Sequence, residues 1–211
     1  MIGIFLALIE LSLFVVPIII CRQRNIHLKS LGIINYFWLC FTVLTGLWEL
    51  SFIINYKNVN LESKNLLKHK DHVWTNNYDL SYLLPWKFSK IFYAEYGAYA
   101  DKYYMANKGI WSRIIESTHA LFCGLFAFIY LMNVNKKTNT YKVALGVAMG
   151  SQLMNSLLYM GEYLIQTTDQ NSLNFNTSIF PTGFALIKRP FMYVNIFWTI
   201  MPLYIIITSL M

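Results

Sequence analysis

Residues 2–20 read IGIFLALIELSLFVVPIII, a run in which Glu10 is the only charged side chain. An α-helix rises about 1.5 Å per residue, so this run is long enough to cross the roughly 30 Å hydrocarbon core of a bilayer. Further apolar segments of comparable length follow at about residues 31–55, 111–132, 143–165 and 187–210. The sequence therefore predicts an all-α integral membrane protein, a bundle of five transmembrane helices.

The composition agrees with a membrane protein and excludes several other classes. Of the 211 residues, 56% are hydrophobic and 13% are charged, whereas soluble domains carry about 25% charged residues. The net charge of +7 comes from Lys and Arg in loops between apolar segments, which argues against a nucleic acid as partner. Cys21, Cys40 and Cys123 are widely spaced and form no CxxC pair, so neither a disulfide framework nor a zinc site is indicated.

The positive charges also predict an orientation. Arg22, Arg24 and Lys29 lie in the first short loop, Lys136, Lys137 and Lys142 lie in the loop between spans three and four, and neither loop contains an acid. By the positive-inside rule, both loops are expected in the cytosol. The N-terminus and the long 56–110 connection between spans two and three are then lumenal, and the C-terminus is cytosolic. The first segment lacks a basic leader and a cleavage site, so we expect a retained anchor.

The long connection contains a stripe of tyrosines. Tyr93, Tyr96, Tyr99 and Tyr103 recur at spacings of three and four, as on one face of a short helix. Such a stripe favours an aromatic belt in the headgroup region. The alternative is a role in controlling ligand access.

A short histidine-containing stretch could be mistaken for a metal site. His69, Asp71 and His72 have a suitable composition, but Lys68 and Lys70 interleave them and would repel a cation. The sequence therefore predicts a solvated basic loop and no metal site.

Acidic residues within the spans are the strongest functional signal. Glu10, Glu49, Glu116 and Glu162 all fall in apolar segments, where an ionisable group costs at least ~2.5 kcal/mol and usually faces a protein interior. Counting residues from the span ends places Glu10, Glu49, Glu116 and Asn195 near a common level in the lumenal half. Glu10 and Glu162 suit the simpler role of holding helices together.

Glu49 and Glu116 suit a chemical role better. Two buried carboxyl groups at one depth repel each other unless one is protonated, and a neutral acid in an apolar site can transfer a proton. His119 follows Glu116 by three residues and so shares its helix face. Trp198 follows Asn195 by three residues, and Gln152 adds an amide on the fourth span.

Several short motifs together resemble a known family. In the last span, YVNIFWTIMP contains an Asn-x-x-Trp-x-x-x-Pro pattern; in the fourth, SQLMNSLLYMGE contains a Gln followed by Leu-Tyr and an acid; and EYGAYADKYY precedes the third span. With Glu49 and Glu116, these motifs make residues of about 40–205 similar to the emopamil-binding protein family. These sterol Δ8–Δ7 isomerases belong to the EXPERA superfamily of five-span proteins.

The resemblance implies a sterol isomerase that moves a ring double bond through a carbocation, without cofactor or metal, in the endoplasmic reticulum. It divides the chain into a first span with its cytosolic loop, 1–30, and a four-span EXPERA-like domain, 31–211. The catalytic residues would be Glu49, Glu116, His119 and Asn195, and the ligand-binding residues Thr45, Gln152, Tyr159 and Trp198. Expected partners are a sterol or other lipophilic small molecule, cationic amphiphilic amines and membrane lipid. The oligomeric state stays open, a homodimer included.

The chain departs from the family pattern at three places, one of which is the missing Arg of the family's Asp-x-Arg-Tyr element, where Lys102 and Tyr103 follow Asp101. Thr45 stands where the isomerases carry histidine, and His119 stands where they carry threonine. If both faces look into one cavity, His119 replaces the missing histidine and Thr45 becomes its hydroxyl partner. The alternative function is a non-catalytic sterol- or lipid-binding protein of the same fold, which these departures favour.

Overall fold

The computed structural model describes residues 1–101, 118–136, 139–172 and 190–210. Within these ranges the named elements are α1 (Gly3–Arg24), α2 (Ile26–Lys29), α3 (Ile33–His69), α4 (Pro85–Tyr99), α5 (Leu125–Met132), α6 (Asn139–Thr168) and α7 (Pro190–Leu210). A 3₁₀ helix (Leu80–Leu83) precedes α4, and a π-helical segment (His119–Gly124) leads into α5. The prediction of an all-α chain is confirmed for the described residues.

Helices long and apolar enough to cross a membrane are found at three of the five predicted spans. They are Gly3–Arg24, Ile33–His69 and Asn139–Gln166, at predicted spans one, two and four. Shorter apolar helices, Leu121–Met132 and Tyr193–Ser209, lie at predicted spans three and five. Residues 102–117 and 173–189, which precede these shorter helices, lie outside the described part of the chain. Helix length and apolar composition together mark the chain as an α-helical membrane protein.

Helix α3 extends further than the sequence predicted. Span two was expected to end at about residue 55, but the helix continues to His69, and Lys70 ends it in the left-handed conformation (φ 58°). Beyond residue 55 the sequence is too polar to be read as a span. Val59, Ser63 and Leu66 are nevertheless buried at the spacing of one helix face. Packing of this face against α4, which a hydropathy pattern cannot report, explains the extra turns.

Helix α4 runs parallel to the second half of α3. Near its start, Ser51 Oγ donates to the Trp86 carbonyl (2.5 Å), and near its end, Tyr99 Oη donates to the Leu66 and Asp71 carbonyls (3.3 and 2.6 Å). Pro85 begins α4 at a position where the missing N–H costs nothing. The connection that was predicted after span two therefore contains the end of α3 and a further helix, α4, packed on it.

The described tyrosines of the stripe make contacts within the protein, and the prediction that they lie at the headgroup level stays a prediction. Tyr99 is only 9% exposed, and the Tyr93 ring packs on Phe52 with 4.8 Å between ring centroids. Tyr96 lines an internal cavity together with Tyr93. Tyr103, the last residue of the predicted stripe, lies outside the described residues. Tyr99 is buried, and Tyr93 and Tyr96 are half-buried, because α3 continues far enough to pack against α4.

The start of α1 is held by the loop between α3 and α4. The backbone N–H groups of Gly3 and Ile4 donate to the carbonyls of Asn76 and Trp74, both at 2.9 Å. Helix starts leave such N–H groups without intrahelical partners, and here the loop supplies the acceptors. A Cβ at position 3 would lie 2.0 Å from the Val73 carbonyl oxygen, so only glycine fits this approach. The first span is thereby fixed next to the second half of α3.

Candidate functional site

The predicted site residues meet at a cavity of about 200 Å³ between α3, α4, the π-helical segment, α6 and α7. Six of the eight residues predicted from sequence to act in catalysis or ligand binding line its wall: Thr45, Glu49, His119, Tyr159, Asn195 and Trp198. They come from four separate segments of the chain. Thr45, Glu49, His119, Asn195 and Trp198 thus share one cavity, as predicted, and Glu116, which was expected in the same pocket, lies outside the described residues.

At the centre of this wall, Glu49 and His119 form a direct contact. His119 Nδ1 pairs with Glu49 Oε2, and the side chains are 1% and 10% exposed. When Glu49 is ionised, Nδ1 carries the hydrogen and donates it to the carboxylate; when Glu49 is protonated, the imidazole can accept instead. The pair can therefore hold a proton on either partner in a place that bulk water does not reach.

The backbone around His119 is unusual in a way that brings the pair together. His119 is the first residue of the π-helical segment, whose wider turns shift the register of the following residues. At the end of this segment, Gly124 lies against Gly46 of α3: a Cβ on Gly124 would come within 3.1 Å of the Gly46 Cα. Two glycines thus let the segment and α3 approach closely, and this approach places His119 beside Glu49.

Thr45 lies one turn before Glu49 but does not act as a partner for His119. Its Oγ1 donates to the Thr42 carbonyl within α3 (3.1 Å). The expectation that Thr45 would be the hydroxyl partner of the displaced histidine is therefore wrong, because a threonine in a helix readily bonds to a carbonyl of its own preceding turn. The partner of the imidazole is the Glu49 carboxyl group.

Trp198 forms the aromatic side of the cavity. Its ring contacts Trp38 and Phe41 edge-on, with centroid distances of 4.9 and 5.1 Å. The Trp198 carbonyl accepts a hydrogen bond from Ser156 Oγ of α6 (3.0 Å), which fixes α7 against α6 at this level. Asn195 lines the same wall one turn earlier. These contacts hold an aromatic face towards the space in front of the acid–base pair.

A second polar group lines the cavity on the α4 side. The hydroxyls of Tyr96 and Tyr159 contact each other, and Tyr159 Oη donates to Asp101 Oδ2 (2.7 Å). Asp101 is 2% exposed. The sequence analysis connected Tyr159 with ligand binding and placed Tyr96 and Asp101 in a motif before span three, but it did not connect the three side chains. Two hydrogen-bonded pairs therefore line the cavity, the Glu49–His119 pair and this tyrosine pair.

Gln152 lies elsewhere. It is fully buried, its Oε1 accepts from Trp38 Nε1 (2.8 Å) and its Nε2 donates to Thr42 Oγ1 (3.3 Å). These bonds join α6 to α3 beside the cavity, and Gln152 is not part of the cavity wall. In this structure the residue holds helices together, the role that amides commonly have within membranes.

The other predicted carboxyl groups do not reach the cavity in the described residues. Glu116 lies outside the described part of the chain. Glu10 is buried on α1, and Glu162 accepts a hydrogen bond from Gln166 Nε2 on its own helix (3.1 Å). Neither side chain is among those that line the cavity. Among the described acids, Glu49 is thus the one placed for chemistry there.

The sequence analysis missed Trp48 as a cavity residue. Trp48 lines the wall between Thr45 and the α4 aromatics, and its ring packs on Phe88 and Phe92 at 5.5 and 5.3 Å. Its buried Nε1 has no hydrogen-bond partner among the described residues. The available signal was its position three residues after Thr45, on the same helix face. Trp48 and Trp198 together give the cavity two indole rings.

Candidate metal ligands do not gather in the described residues. No group of three or more His, Cys, Asp and Glu side chains in these ranges could hold a metal ion. His72, one member of the stretch discussed above, instead pairs with Glu95 at 2.6 Å. The chemistry that the described cavity offers is therefore that of an acid–base pair in aromatic, apolar surroundings.

Comparison of the chain with protein-family models, with curated proteins and with solved structures gives no match.

Proposed function

We propose that this protein is a sterol Δ8–Δ7 isomerase-like membrane protein that shifts a ring double bond by protonation and deprotonation. The proposal is carried by the pairing of Glu49 with His119 on the wall of a cavity that also presents Trp48 and Trp198. The motif resemblance to the emopamil-binding protein family points to the same chemistry and to the same carboxyl group.

The proposed reaction needs an acid, a base and a place for positive charge. A proton is added to one carbon of the ring alkene, which leaves a tertiary carbocation on the other carbon. Loss of a proton from the neighbouring carbon then forms the shifted double bond, so the net reaction is neither an oxidation nor a reduction. The proton held by the Glu49–His119 pair serves the first step, and Glu116 is the proposed partner for the second. General acid–base groups of this kind typically contribute about 10²–10⁴-fold to a rate.

The cavity wall suits the cationic intermediate. Indole faces attract a cation by about 0.5–2 kcal/mol, most strongly when water is absent, and Trp198 is held in place by its edge contacts with Trp38 and Phe41. Asn195 is proposed to orient the ligand on the same helix. A lipophilic amine would resemble the intermediate in charge and shape, so cationic amphiphilic amines are expected to bind the cavity.

The membrane setting is proposed as well. Five spans, a lumenal N-terminus, a lumenal 56–110 connection, a cytosolic C-terminus and an endoplasmic reticulum location follow from the loop charges and the resemblance, with 1–30 preceding a four-span domain of 31–211. Glycosylation sites introduced at positions 60–70 should be modified, and sites in the loop between spans three and four should not. The reverse result would overturn the orientation.

The activity is tested with the purified full-length protein in lipid nanodiscs, supplied with a Δ8 sterol in deuterated water. Conversion to the Δ7 isomer with deuterium in the product is expected. Glu49→Gln and Glu116→Gln should each lower the rate at least about a hundredfold. Glu162→Gln is the matched control, since Glu162 lies in a span but does not line the cavity. If well-folded protein gives no conversion, the isomerase proposal fails.

The second candidate is a non-catalytic sterol- or lipid-binding protein. It is favoured by Thr45, whose hydroxyl bonds within α3 and supplies no acid or base at the position where the isomerases carry histidine. This candidate predicts saturable binding of a Δ8 sterol and of lipophilic amines without conversion. Binding without deuterium incorporation would support it over the isomerase.

A further inference from the structure

An apolar groove lies next to the cavity on the outside of the helices. It has a volume of about 440 Å³ and is lined by Phe14 of α1, by Ile34, Phe37 and neighbouring residues of α3, and by Met201 of α7. Ile34 is 52% exposed and lies on a helix that is apolar enough to cross a membrane. The groove therefore opens towards the surroundings of the bundle.

The groove and the cavity share a wall. Phe41 lines both, and its ring contacts Trp198 on the cavity side (5.1 Å) and Phe14 on the groove side (6.3 Å). Trp38 of the groove also contacts Trp198 of the cavity. The Phe41 ring and the Trp38–Trp198 contact thus lie between the two spaces at this point.

The cavity is small for the ligand class proposed above. Its volume of about 200 Å³ falls below the roughly 300–1,000 Å³ usual for sites that enclose a whole ligand. Along α3, the thirteen residues from Phe37 to Glu49 span about 18 Å. The groove and the cavity follow each other along this length of α3, an arrangement that matches a molecule with a rigid ring system and a hydrocarbon tail.

We propose that the groove holds the hydrocarbon tail of the lipid whose ring system lies in the cavity, with Phe41 between the two parts. This inference rests on the proposed function and adds the ligand's shape and direction to it. The reacting rings lie at Glu49 and His119, and the tail runs along α3 towards Ile34.

The groove sets the position of the ligand more than its affinity. A tail that leaves lipid for an apolar groove gains little from the hydrophobic effect, since lipid chains are as apolar as the groove. The benefit lies in packing, which fixes how far the rings enter the cavity. Blocking the groove is accordingly expected to weaken binding of a sterol only about threefold to fivefold while displacing its tail.

The test uses two photoreactive Δ8 sterols with the full-length protein in nanodiscs. One carries a diazirine on the ring system and the other carries it at the end of the side chain. After irradiation, mass spectrometry locates the labelled residues. The ring probe should label cavity residues such as Thr45 and Trp198, and the tail probe should label Ile34, Phe37 and Met201.

Matched variants give the control. Ile34→Trp fills the groove and should lower tail-probe labelling of the groove at least fivefold, with cavity labelling by the ring probe retained. Leu47→Trp changes a residue of α3 that is equally exposed (53%) but lies in neither space, and it should alter neither pattern. If both substitutions lowered tail-probe labelling of the groove, the proposal would be contradicted.

The outcomes separate the two proposals. If the ring probe labels the cavity and the tail probe labels residues elsewhere, the groove proposal is wrong while the proposed function stands. If the ring probe does not label the cavity, the proposed function fails and the groove proposal with it. A diazirine phospholipid can also be tested for labelling of the groove with and without excess unlabelled Δ8 sterol. If the labelling is the same in both cases, the groove holds bulk lipid and the proposal is overturned.

Discussion

Two histidine–glutamate pairs occur in the described part of this protein, and their histidines lie in opposite surroundings. His72 and Glu95 meet at 2.6 Å where the loop after α3 reaches α4, with 50% and 12% of their side chains exposed. His119 and Glu49 meet on a cavity wall, with 1% and 10% of their side chains exposed. The residue types are the same, so any difference in role comes from what surrounds them.

The outer pair is part of a structural connection. Glu95 also accepts the Val73 backbone N–H (3.0 Å), and the His72 ring stacks on Tyr99 at 4.2 Å. Glu95 is thus bonded to the backbone of the loop, and His72 packs on a side chain of α4. The inner pair instead faces a space that a ligand can fill. Because water reaches His72, the outer pair is expected to contribute little to the stability of the fold. Because water is excluded from the inner pair, that pair can transfer a proton to a bound ligand.

The largest expected difference is in stability. His119→Ala should lower the free energy of unfolding by about 3–5 kcal/mol, because it leaves a buried carboxyl group without its imidazole. His72→Ala should lower it by no more than about 1 kcal/mol, as for other exposed pairs. Denaturant titration in one detergent, followed by tryptophan fluorescence, measures both. Equal effects would remove the distinction between the pairs.

A histidine swap sharpens the comparison for the inner pair. His119→Thr alone should abolish amine binding and activity, whereas Thr45→His combined with His119→Thr places an imidazole one turn from Glu49 on the same helix. The double variant should recover at least half of the lost binding energy, as measured by displacement of a labelled lipophilic amine. No recovery would mean that the imidazole must come from the π-helical segment.

A smaller effect is expected at the outer glutamate. Glu95→Ala removes acceptors for His72 and for the Val73 N–H, and hydrogen bonds to charged groups contribute about 1.5–3 kcal/mol. We expect a loss near the lower figure, together with faster hydrogen exchange over the loop that follows α3. The control is Glu62→Ala. Glu62 is exposed on α3, so this substitution should leave hydrogen exchange in the loop unchanged.

The smallest effect concerns pH at the outer pair. Burial of Tyr99, together with the charges of Glu95 and Asp71, raises the pKa of its hydroxyl. The folded protein therefore retains that proton at pH values where the unfolded chain loses it, so stability falls as the pH rises above about 10. Tyr99→Phe should show a smaller loss of melting temperature between about pH 8 and pH 11. An unchanged slope would show that Tyr99 does not contribute.

The features that the sequence predicted well are those averaged over long segments. Apolar runs such as 2–20 and 143–165 identify helices because membrane insertion depends on about 20 residues at once. The depth of Glu49 and Asn195 followed from the same counting, since an α-helix has a fixed rise. Their shared cavity could be anticipated, although Glu116, on which the same argument was based, lies outside the described residues.

The failures have a common cause in packing between segments. The end of α3 at His69 and the internal contacts of the α4 tyrosines depend on each other, and neither segment alone is apolar enough to reveal the other. The π-helical turn at His119 likewise leaves no pattern in the sequence. Gln152 was read as a ligand contact because its amide is visible in the sequence, whereas its bonds to Trp38 and Thr42 are not.

By itself, the sequence determined which segments are helical and apolar and which of them carry acids, because hydropathy and helical rise are properties of single segments. Only the tertiary structure decided that Glu49 pairs with His119, seventy residues away, and that Thr45 does not. A helix can turn any face towards its neighbours, and the choice depends on close contacts such as that of Gly46 with Gly124. The acid–base pair is thus a product of helix packing.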